Sequence, residues 1–152
     1  MSAGFYHKLG VDFNDHFQVD PAGRKLRRHV MLVGVSGQYN YDEVRNQVQT
    51  WLEPGTINML NDHCEFVKVD RIYRSIIFKS IDNSADCKFN IIPDRTIINP
   101  CLTIEDWNGN ALVEVTVNGI QAHFKAAKEG NNLLIWIQTS IEKSSEISIH
   151  AI

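Results

Sequence analysis

A chain of 152 residues is long enough for one ordinary domain with a real core. Its 43% hydrophobic and 22% charged residues are those of a globular protein. The formal net charge of −3 gives no general pull toward nucleic acid or an anionic membrane, so neither is expected as a partner.

The chain opens MSAGFYHKLGVDFNDHF, in which no basic stretch is followed by an apolar run, so no secretory leader is expected. No segment approaches the ~18 apolar residues of a membrane span. The expectation is a soluble chain, with its compartment left open. Asp20-Pro21-Ala22-Gly23 is a turn signal, and Arg24, Lys25, Arg27 and Arg28 form a basic cluster read as solvated surface. HVMLVGV, residues 29–35, predicts a buried strand. A helix is predicted over about 42–52. Asp42 caps it, Val44, Val48, Trp51 and Leu52 share one face, and Glu53-Pro54-Gly55 stops it.

From residue 60 onward, short β-rich runs recur: CEFVKV, YRSIIFK, DCKFNII, CLTI, LVEVTVN, IQAHFKA, NLLIWIQT and EISIHAI. Polar or Gly/Asn/Pro turns separate them, which is the pattern of an antiparallel sandwich or barrel. Val113, Val115 and Val117 alternate with polar residues, as do Ile120, Ala122 and Phe124. Asn118-Gly119 between these runs predicts a two-residue hairpin. LLIWI does not alternate, so a central strand covered on both faces is expected. The fold class read from these signals is mainly β: an antiparallel two-sheet, jelly-roll-like β-sandwich with one helix. It forms a single domain over 1–152, with an arm, strand and helix in 1–60 and the sandwich core in 61–152.

Most catalytic motifs fail on chemistry. The loop between residues 29–35 and the helix has Gly34 and Gly37 but no G-K-[ST] and no G-x-G-x-x-G, so phosphate binding lacks its lysine and hydroxyl. Gly34-Val35-Ser36-Gly37 is one spacer short of a nucleophile elbow. Glu105 and Asp106 are neighbours on a strand end, so they point apart and make a poor glycosidase couple. His7, Asp12, Asp15, His16 and Asp20 match no metal-ligand spacing. Cys64, Cys87 and Cys101 have no C-x-x-C pair. Cys87 and Cys101 could meet on neighbouring strands, but buried free thiols are the expectation. No cofactor, metal or catalytic residue is nominated.

Binding chemistry is better represented. EDWNGN sets Trp107 between Asp106 and Asn108, and VDRIYRS adds Arg71 and Tyr73. An aromatic face with carboxylate, amide and guanidinium neighbours suits a sugar ring and its hydroxyls. For Trp107 itself, a hydrophobic cover over the end of the sandwich is the favoured expectation, with the sugar platform as its alternative.

The runs DCKFNI, IINPCLTIEDW, VEVTVNG, NNLLIWIQTS and EISI together resemble accessory C-terminal β-sandwich modules of carbohydrate-active enzymes such as polysaccharide lyases. The resemblance covers residues 70–150. It implies a non-catalytic module that accompanies polysaccharide chemistry, with an oligosaccharide or polysaccharide as partner. VRNQVQTWLEPG followed by VKVDRIYRSIIF also resembles the layout of phage distal-tail and baseplate proteins. That likeness implies an assembly subunit which joins other protein subunits through its N-terminal arm and sheet edges.

Overall fold

The computed structural model describes residues 49–50, 53–70 and 74–152. The predicted strand at 29–35, Trp51, and all of the predicted helix but residues 49 and 50 lie outside these. Gln49 and Thr50 are helical, and Glu53 N donates to Gln49 O at 2.9 Å, the spacing of an α-turn. Pro54 and Gly55 follow and end it. Gly55 has φ +100°, and a β-carbon there would sit 2.1 Å from the carbonyl oxygen of Ile92, so only glycine fits.

Among the described residues, twelve strands build two five-stranded sheets and a two-stranded ribbon. The first sheet runs β1 (Thr56–Met59), β4 (Asp86–Ile92), β12 (Ser145–Ala151), β7 (Val113–Val117) and β8 (Ile120–Gln121). The second runs β2 (Cys64–Asp70), β3 (Ser75–Ser80), β6 (Cys101–Glu105), β10 (Asn132–Ile137) and β9 (Phe124–Glu129). The ribbon pairs β5 (Ile97–Ile98) with β11 (Ser140–Ile141) and buries Ile97 and Ile141. The protein is a mainly-β two-sheet sandwich, as its sequence predicts. One ladder departs from the antiparallel rule, since β3 and β6 run parallel. Strictly parallel neighbours cannot be joined by a tight turn. Here the chain between them leaves the second sheet, contributes β4 to the first, and returns.

The core is the meeting of two period-2 patterns. Cys87, Phe89 and Ile91 of β4, Ile147 and Ile149 of β12, and Val113 and Val115 of β7 project inward from the first sheet. Ile76 and Phe78 of β3, Leu102 and Ile104 of β6, and Leu133, Ile135 and Ile137 of β10 meet them from the second. Phe78 and Phe89 make the seam, with ring centroids 4.3 Å apart and planes tilted by 31°. Complete burial of such a ring stabilises the fold by about 1.5–3 kcal/mol.

The Asn118-Gly119 turn forms as predicted. Both residues have positive φ, 54° and 75°, and the register pairs Val117 with Ile120. The strand after it is shorter than its alternation suggests. β8 ends after two residues and leaves Ile120 75% exposed. The chain then crosses to the other sheet at Ala122-His123 and resumes as β9, where Phe124 and Ala126 pack on the core. TINM, residues 56–59, is a strand of the first sheet that its composition did not reveal. Among the described residues, no helix is long and apolar enough to cross a membrane.

Candidate functional site

Trp107 belongs to the core. Its side chain is 1% exposed, Nε1 donates to the carbonyl oxygen of Asn110 at 3.0 Å, and its backbone N donates to Asn131 O at 2.7 Å. The local sequence builds this plug. Asp106 takes a left-handed conformation, φ 55°, which turns the chain inward after β6. Gly109 lies against the indole so closely that a β-carbon would sit 2.7 Å from Nε1. Lys128 Nζ then ties the Gly109 carbonyl to β9 at 2.6 Å. The expectation that Trp107 offers a sugar platform is therefore corrected: a ring with no open face cannot stack on a ligand. Asp106 and Asn108 are exposed beside the plug, and Asp106 faces Lys79 at 3.6 Å. Arg71 and Tyr73 lie outside the described residues.

A different tryptophan is open. The outer face of the second sheet forms a groove of about 780 Å³. Strand register orders that face in three rows. Asp70, Ser75, Cys101, Trp136 and Lys125 form the first. Lys68, Ile77, Thr103, Leu134 and Ala127 form the second. Glu65, Lys79 and Glu105 begin the third, and the facing pair Asn132–Glu129 ends it. The floor is therefore apolar in the middle and polar along two sides. Ser75 and Thr103 share a hydrogen bond of 2.7 Å across it. Trp136 is 37% exposed, and Lys125 Nζ stands 5.7 Å from its ring centroid. A cation at that distance is held by the ring's negative face.

The expected cover over both faces of LLIWI is also corrected. Leu133, Ile135 and Ile137 face the core, while Leu134 and Trp136 line the groove. The unbroken apolar run was the signal for this site. It marks a strand whose outer face is apolar without being closed.

The outer face of the first sheet is chemically the opposite. Lys88 Nζ meets Glu146 Oε1 at 2.9 Å. Asn90 Nδ2 donates to Ser144 Oγ at 3.0 Å, and that hydroxyl donates back to Asn90 Oδ1 at 3.2 Å. Ser148 Oγ lies 2.6 Å from His150 Nε2, and His150 Nδ1 lies 2.9 Å from Asp86 Oδ1. These three residue types in this order suggest a hydrolase triad, and the geometry argues against one. Asp86 Oδ1 accepts no aligned hydrogen bond, so it does not orient the imidazole as a triad carboxylate would. Ser148 is 6% exposed on a central strand paired on both sides, so ladder bonds engage the neighbouring amides that an oxyanion would need. Ser148 and His150 could be read from sequence as sharing one strand face. Asp86 could not, because it arrives from a strand more than fifty residues earlier.

No protein-family model matches this chain, and no curated protein or solved structure matches it either. Its own geometry carries the functional reading. Among the described residues, no three His, Cys, Asp or Glu side chains gather as they would around a metal ion.

Proposed function

We propose that this protein is a non-catalytic saccharide-binding module, and that its ligand lies in the groove on the outer face of the second sheet. The half-exposed Trp136 indole at the edge of an apolar floor carries this reading. Ligand sites are typically concave and mostly apolar, with a few polar groups that fix orientation. A sugar ring presents C–H bonds on its faces and hydroxyls at its rim. Trp136, Leu134 and Ile77 suit the first, and Thr103, Asn132, Glu105 and Glu129 suit the second. Lys125 shares the indole with the ligand and brings ammonium donors to its rim. Asp70, Glu105 and Glu129 outweigh Lys125 among the described lining residues, which favours neutral saccharides over uronate-rich or sulfated ones.

The alternative is an assembly subunit joined through its arm and sheet edges. Its arm lies outside the described residues, and three of the four edge strands of the described five-stranded sheets are guarded. β8 has two residues, β2 carries a bulge between Phe66 and Lys68, and β9 carries Lys125, Lys128 and Glu129. Short, bulged and charged edges oppose strand addition.

A glycan array probed with the wild type and with Trp136→Ala tests the proposal. Wild-type binding to neutral glycans, weakened at least about tenfold by the substitution, is the expected result for an aromatic anchor contact. The reading fails if the wild type binds none of the glycans, or if the variant binds equally well.

A further inference from the structure

The molecule holds a second feature that the binding groove does not use. Cys64 begins β2 at the edge of the second sheet, and Cys87 lies on β4 of the first. Both thiols are free and buried, and both belong to the shared core. They meet across the sandwich. Cys64 Sγ donates to the carbonyl oxygen of Asp86, the residue before Cys87, at 3.4 Å, which sets the two side chains beside each other in the core. Cys101, the partner considered for Cys87 from sequence, is half-buried on the outer face of the second sheet, away from both.

We infer that Cys64 and Cys87 form a thiol-oxidation site, which a small disulfide oxidant such as oxidised glutathione converts into a covalent bond between the two sheets. The bond would be made in two exchanges. The Cys64 thiolate attacks one sulfur of the oxidant, whose disulfide breaks and releases one reduced glutathione. The Cys87 thiolate then attacks Cys64 Sγ, expels the second glutathione and closes the inter-sheet disulfide. The two cysteine protons pass to the departing thiolates, so two electrons move from the protein to the oxidant.

Order of attack follows from position. Cys64 sits on an edge strand, next to the exposed His63 and two residues before the β-bulge. Edges and bulges open at low cost, which gives the oxidant a route. Cys87 is deeper. The Cys64 side chain beside it and burial push its thiol pKa up, so it stays protonated until its partner has reacted. In the reduced state the pair is inert packing. In an oxidising compartment it becomes a clamp that ties the edge strand of one sheet to the other.

Intact-mass and peptide analysis after incubation with oxidised glutathione tests this, on the wild type and on Cys101→Ser. Both proteins are expected to lose two hydrogens, to yield one Cys64–Cys87 cross-linked peptide, and to melt higher by about 5 °C. The Cys101→Ser chain keeps the pair and removes the half-buried competitor, so the outcome does not depend on disturbing the core. A glutathione adduct on Cys101 with Cys64 and Cys87 still free would overturn the inference. A cross-link that includes Cys101 would do the same.

Discussion

The two sheets obey the same alternation inward and differ outward. On the first sheet, most outer polar groups engage one another: Lys88 with Glu146, Asn90 with Ser144, and Ser148 with His150. A ligand arriving there would have to replace bonds already made. On the second sheet, Ile77, Leu134 and Trp136 turn outward into a groove bordered by polar groups. A ligand there removes apolar surface from water and finds donors and acceptors within reach. One sandwich thus carries a closed face and a receptive one. The difference comes from which residues occupy the outward positions, and the strand geometry is common to both.

Substitution at the shared seam should break both faces together. Phe89→Ala empties the contact with Phe78 and is expected to cost about 3–5 kcal/mol in denaturant unfolding. Gly109→Ala separates the two tryptophans. The new β-carbon strikes the Trp107 indole and the β-carbons of Ala151 and Ala85, so about 1–3 kcal/mol of stability should be lost. Calorimetric titration of the folded variant should show ligand affinity unchanged, because Trp107 is a plug. Trp136→Ala and Ser148→Ala compare the faces directly. The first should weaken saccharide binding by at least about 1.4 kcal/mol, a factor of ten. The second should leave binding intact and cost about 1 kcal/mol of stability.

The smallest effect concerns pH and neither face. His63 Nδ1 lies 2.7 Å from Asp82 Oδ2 at the exposed turns beside β2 and β3. The hydrogen bond to Asp82 raises the His63 pKa above 6.5. Hydrogen bonds from Ser84 and His63 hold Asp82 at about 2, below its ordinary 3.8. A raised histidine stabilises below pH 6.5 and loses its contribution as pH rises through the raised value. A lowered carboxylate stabilises above pH 3.8 and loses its contribution as pH falls toward 2. The pair therefore acts fully between these limits, and its exposure keeps the effect small. NMR titration should give a His63 pKa above 6.5 that returns to the ordinary value in Asp82→Asn.

Much of the fold was legible in the sequence because alternation is a local property. DCKFNII has the same bounds as β4, and Asn118-Gly119 sets the β7–β8 turn. What escaped depends on distant partners. The run IQAHFKA alternates without interruption, yet its two halves join different sheets. Nothing local marks the crossing at Ala122-His123. The parallel β3–β6 ladder is also a product of where the intervening chain goes. The candidate site was half legible. LLIWI announced an apolar outer face, but that face could be recognised as an open groove only when β3, β6 and β9 were placed beside it. Trp107 drew attention because its neighbours are polar, and Gly109 was the overlooked sign that the indole turns inward.

The most direct test of the contrast between faces is a nitrogen-15 NMR titration with neutral oligosaccharides. The account predicts saturable shifts in the amides of β6, β9 and β10 and in the Trp136 indole N–H, with Asp86, Ser148 and His150 unmoved. Shifts centred on those three residues, or none on the second sheet at saccharide concentrations where the array scores binding, would contradict it.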